Sequence, residues 1–84
     1  METDTEELNI LRNKIDEIDK QIINLLDERV SICKEIGKIK KIKKIKITDK
    51  SREKEILLRA GNFKSIYIEI IDICKKAQGD YNEI

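Results

Sequence analysis

Four of the 18 basic residues in this 84-residue chain are arginines: Arg12, Arg29, Arg52 and Arg59. The rest are lysines, so arginine is kept for places where a planar, two-pronged donor is needed to grip a carboxylate or phosphate. Arg29 is the most telling, because it interrupts an otherwise aliphatic stripe. A cation at such a position is costly unless an anion meets it there. Arg12 and Lys40 flank the same stripe. Further along, Arg52, Glu53 and Gln78 fall on the inward faces of two shorter amphipathic segments. Several cations, one carboxylate and one amide, converging without a nucleophile, form a pocket suited to a small dianion. Taken singly, each has a plainer reading, as a surface charge, a rim ion pair or a polar helix end.

Composition narrows the chemistry. The chain has no histidine, a net charge of +1 and 42% charged residues. Imidazole acid–base chemistry is excluded, zinc binding is disfavoured, and no metal or cofactor is expected. The balanced charge gives no field toward nucleic acid or membrane. The lysine-rich stretch 38–47 carries no interleaved aromatics and reads as a solvated helix end. Cys33 and Cys74 are too few for a disulfide framework and lack CxxC spacing, so both read as small core fillers. Without a signal or membrane segment, the cytoplasm is the expected compartment.

The elements that must position these residues follow from periodicity. Leu8, Leu11, Ile15, Ile18, Ile22, Leu25, Ile32, Ile36 and Ile39 keep a three-four spacing, which predicts one helix from Leu8 to about Lys44. At 1.5 Å per residue it is about 55 Å long, whereas a compact chain of this size has a radius of gyration of about 12 Å. Forty following residues cannot cover such a seam, so a second chain is expected. Antiparallel pairing of two such helices about the low twenties brings Arg12 of one chain beside Arg29 of the other. Residues 1–7 read as a frayed lead-in, with Thr5 as a helix cap. Gly37 inside the helix is either tolerated or marks a close backbone approach. Thr48 or Asp49 caps a second helix that ends at Gly61, and Asn62 caps a third that ends at Gly79. Residues 80–84 are expected to be mobile. The expectation is an all-α chain of three helices, one long and two short, forming a single domain over 1–84.

Leu11-Arg12-x-Lys14-Ile15-x-x-Ile18-Asp19, Leu25-Leu26-x-Glu28-Arg29, Gly37-Lys38-x-Lys40, Asp49-x-x-Arg52-Glu53 and Gln78 occur in an order that resembles the all-helical chorismate mutases. The resemblance spans about Leu8 to Gln78. It implies an intertwined antiparallel homodimer that rearranges chorismate to prephenate on the route to phenylalanine and tyrosine. It further implies that Arg29, with Arg12 from the partner chain, binds the substrate carboxylates, and that Lys40 and Gln78 flank the ether oxygen. Asp49 and Glu53 match positions near the ring hydroxyl, and Arg52 matches a polar residue lining the pocket. Cys74 falls where many members carry a serine that helps hold a carboxylate. Two alternatives stand beside this reading: an isochorismate-pyruvate lyase on the same scaffold, and a non-catalytic helical dimerisation module whose arginines fix register.

Overall fold

The computed structural model describes the backbone of residues 2–79 and the side chains of residues 5–79. Its elements are α1 (Glu2–Lys43), α2 (Lys50–Ala60), a 3-10 turn (Gly61–Phe63) and α3 (Lys64–Gln78). No strand occurs among the described residues, so the fold is all-helical. The molecule measures 62 × 23 × 22 Å with a radius of gyration of 17.8 Å. Its long dimension is the length of α1, whose 42 residues span about 63 Å.

α1 starts earlier than its apolar period suggests. Residues 2–7 continue the helix, so Thr5 lies within it and is not its cap. Acidic residues at this end suit the positive pole of the helix dipole. The other end closes in a Schellman turn: the Ile45 amide donates to the Lys40 carbonyl at 2.8 Å, and the Lys44 amide to the Lys41 carbonyl at 3.4 Å. Lys44 takes the left-handed conformation this turn requires, with φ 57°, where glycine is the unstrained residue. Lys44→Gly is therefore expected to raise stability by about 0.5–1 kcal/mol, read as a higher denaturant midpoint, and Lys44→Val to lower it.

Asp49 caps α2 as expected, its side chain accepting from the Arg52 amide at 3.0 Å. Gly61, at φ 55°, ends that helix. Asn62 does not cap α3. It lies in the 3-10 turn, and Phe63 occupies the cap position without a side-chain bond. A tight turn continuing almost directly into α3 leaves no extended residue whose side chain can reach back to the first amides. Gly79 closes α3 with φ 116°.

α3 packs against both α1 and α2. At the α1–α3 crossing, Gly37 is buried. A Cβ there would collide with the Gln78 carbonyl oxygen and lie only 2.6 Å from the Gln78 Cα. The glycine is thus a close-approach position, not a tolerated one. One turn away, Cys33 and Cys74 form a disulfide with their Cα atoms 5.4 Å apart. This corrects their reading as free core fillers: the crossing at Gly37 brings together two positions separated by 41 residues. Closing a loop of that size contributes about 4 kcal/mol in the chain-entropy account.

Little else is enclosed. Cys33 and Ile71 are the buried apolar side chains among the described residues, while Leu8, Leu11, Ile15, Ile18, Ile22 and Leu25 are between 47% and 63% exposed. From Leu8 to Leu25 this makes an apolar stripe about 25 Å long. No helix of the described chain is long and apolar enough to cross a membrane.

Candidate active site

Arg29, Cys33, Ile36 and Lys40 lie at three- and four-residue steps and therefore on one face of α1. α3 delivers Cys74, Lys75 and Gln78 from its last two turns, where the Gly37 contact and the disulfide hold it against α1. The Schellman turn reverses the chain so that the first turn of α2 brings in Asp49, Arg52 and Glu53. All these side chains line one cavity of about 380 Å³, whose apolar wall includes Ile32, Ile36, Ile47, Ile56 and Ile71.

Seven of the eight residues expected at the site are therefore brought together: Arg29, Lys40, Asp49, Arg52, Glu53, Cys74 and Gln78. Arg12 is not. It lies on an exposed part of α1, 17 residues before Arg29 and so about 25 Å away along the helix.

The partners of these groups show which are committed. Asp49 is spent on its capping bond. Arg52 pairs with the exposed Glu55 at 3.2 Å. Glu53 pairs across to α3, where Lys75 Nζ lies 3.3 Å from its Oε2 and both side chains are about three-quarters buried. Lys40 Nζ donates to the Ile47 carbonyl at 2.8 Å, which tethers the lysine over the turn and leaves its other two hydrogens for a ligand. Among the described residues neither Arg29 nor Lys40 is ion-paired. The Arg29 guanidinium donates through Nη1 to Cys33 Sγ at 3.9 Å. Four cations line the cavity against two carboxylates, which leaves an excess of two positive charges, matched to a dianion.

Lys75 escaped the sequence reading. Its signal was present: it lies three residues before Gln78, on the same face of α3. The bridge also changes what Cys74 can do. A disulfide sulfur has no proton to donate to a carboxylate, and Cys74 Sγ instead accepts from Gln78 Nε2 at 3.3 Å. Gln78 Oε1 is buried without a hydrogen-bond partner.

The fold and cavity define a class, that of small helical proteins presenting a cationic pocket at the crossing of a long helix with two short ones. A family described as chorismate mutase type II matches residues 11–79. A chorismate mutase from Methanocaldococcus jannaschii is 39% identical over 77 residues, covering 92% of this chain and 68% of that protein. A bifunctional chorismate mutase/prephenate dehydratase from Aquifex aeolicus is 41% identical over 83 residues, and a 3-dehydroquinate dehydratase from Pyrobaculum aerophilum is 37% identical over 71. The chain spans only about a quarter of each of these two longer relatives, 23% and 24%. A solved structure, a conserved hypothetical protein from Pyrococcus furiosus, is similar with a TM-score of 0.84 and 48% identity, covering 84% of this chain and 93% of that one. The chain belongs to the chorismate mutase type II family.

Proposed function

We propose that this chain rearranges chorismate to prephenate, working as a single domain and drawing one arginine of each site from a second copy. The observation that carries the reading is that Arg29 and Lys40, without an ion pair among the described residues, line the cavity that also gathers Asp49, Arg52, Glu53 and Gln78. Chorismate is a dianion. Its Claisen rearrangement is unimolecular and pericyclic, so the protein has only to hold a compact reactive conformer and to stabilise charge growing on the ether oxygen. Arg29 grips a carboxylate in a fixed plane. Lys40 and Gln78, from opposite helices, donate to the ether oxygen as its bond to carbon breaks. Glu53, held by Lys75, faces the ring hydroxyl. Arg52 adds positive charge at the rim.

The second copy is supported by the exposed stripe of α1 and by its charge. Residues 2–28 carry nine acidic and three basic side chains, and residues 29–43 carry six basic and one acidic. Antiparallel pairing about the low twenties sets Glu6 and Glu7 near Lys34 and Lys38, and Asp27 and Glu28 near Arg12 and Lys14. It also sets Arg12 beside the partner's site, where the two arginines repel until a dianion lies between them. Cytoplasmic placement and a role in phenylalanine and tyrosine synthesis belong to this proposal. One relative's name joins chorismate mutase to a dehydratase of prephenate, the expected product.

The test is loss of chorismate absorbance with prephenate as product. Turnover of isochorismate to pyruvate in its place would transfer the reading to the lyase type, and a folded dimer inert to both would sink it. Sharing of the site is tested by mixing inactive Arg12→Ala and Arg29→Ala chains. Each mixed dimer then holds one intact site, so activity returns to about one quarter of wild type when chains exchange at random. No recovery after verified exchange refutes the sharing.

A further inference from the structure

The Cys33–Cys74 pair sits between two side chains of the site. Each cysteine meets the polar group four residues away on its own helix: Arg29 Nη1 lies 3.9 Å from Cys33 Sγ, and Gln78 Nε2 lies 3.3 Å from Cys74 Sγ. Cys33 is 3% exposed. Gln78 itself lines the cavity, yet its Oε1 has almost no accessible surface and no hydrogen-bond partner. The amide oxygen is therefore turned away from open space, and the nitrogen is the atom that meets the sulfur.

We propose that the Cys33–Cys74 disulfide is the positioning element of the site, an acceptor that fixes the Gln78 amide with its nitrogen toward the cavity and makes turnover depend on the redox state of this pair. The inference rests on the mutase reading of the site. A disulfide sulfur carries no hydrogen, so it can bond the amide only through Nε2; with the oxygen turned toward it there is no bond at all. One amide hydrogen is held by sulfur and the second remains for the ligand. A thiol at position 74 both donates and accepts. It can bond the amide in either orientation, and the unpartnered Oε1 favours the turn that an S–H donor permits. Reduction by a dithiol breaks one S–S bond and forms another in the reductant, transferring two electrons and two protons and leaving two thiols. It also releases the covalent tie between the helix bearing Arg29 and the helix bearing Gln78.

The experiment compares bridged protein, dithiol-reduced protein and Cys33→Ser, which leaves Cys74 a free thiol without any reductant. Bridge status is read by thiol titration, and kinetics are measured well below every melting transition. Reduced wild type and Cys33→Ser should both fall about tenfold in kcat/KM, mostly through kcat, and the variant should not respond to reductant. The Gln78 side-chain amide pair in a ¹⁵N correlation spectrum, assigned by its loss in Gln78→Glu, should move on reduction. Loss of a bridge that only staples the fold lowers the melting temperature and leaves kcat/KM unchanged. Unchanged kcat/KM overturns the proposal, and so does an unmoved Gln78 pair whatever the kinetics show. Protein inert to chorismate in both states would defeat the mutase reading, and the amide resonances alone would then decide whether the bridge orients Gln78.

Discussion

Arg29→Ala is expected to lower kcat/KM for chorismate by about a thousandfold, roughly 4 kcal/mol of transition-state stabilisation, with the fold unchanged by circular dichroism. The size follows from what surrounds the residue. Arg29 is half-buried and without an ion pair among the described residues, so under the proposed function its charge is open to the ligand. Removing it leaves a substrate carboxylate desolvated and unpaired, and frees the reactive conformer. Arg29→Lys should recover little, because a point charge does not reproduce a planar fork. Arg59→Ala, one of the three other arginines, should stay within about twofold of wild type, since Arg59 is exposed and is not among the residues lining the site cavity. Equal losses for Arg29→Ala and Arg59→Ala would contradict the site.

Gly37→Ala should be the most damaging change of a residue that touches no ligand. Its new methyl would lie 2.6 Å from the Gln78 Cα and 2.9 Å from the Gln78 carbonyl carbon. These are backbone atoms and cannot swing aside, so the end of α3 must move off α1. Overpacking of this kind costs about 1–3 kcal/mol of stability. Displacing Gln78 by about 1 Å should cost about a hundredfold in kcat. Gly61→Ala separates the two effects. Gly61 has φ 55° and open space around it, so alanine there strains the turn and lowers stability by about 1 kcal/mol without shifting Gln78. Activity lost in Gly37→Ala and kept in Gly61→Ala, measured at a temperature where both are folded, identifies the crossing as a part of the site.

Where the sequence reading succeeded, the signal was local or periodic. The three-four spacing of α1, the Asp49 cap and the stops at Gly61 and Gly79 are written in short windows. Arg29, Lys40, Arg52, Glu53 and Gln78, which line the cavity, could be singled out because polar groups on apolar faces are few, and each had to answer for its position. Failures came where the deciding contact is tertiary or the residue is atypical. The disulfide depends on a helix crossing that no local pattern encodes. Lys44 performs a glycine's task in the Schellman turn, and lysine gives no such signal. Thr5 and Asn62 are good capping types in places where the backbone is not a helix entry, and Lys75 was hidden by its many exposed counterparts.

The near-absence of an interior in the single chain bears on how its stability must be expressed. With two buried apolar side chains among the described residues, the two-chain reading puts most of the driving force for folding in the surface each copy would offer the other. Under the two-chain reading, folding is a second-order event governed by mass action, and the fraction folded is a function of how many chains share a volume. A cell making few copies would hold less than a proportionate amount of competent site. Dosage, and not temperature alone, would then decide whether the enzyme exists.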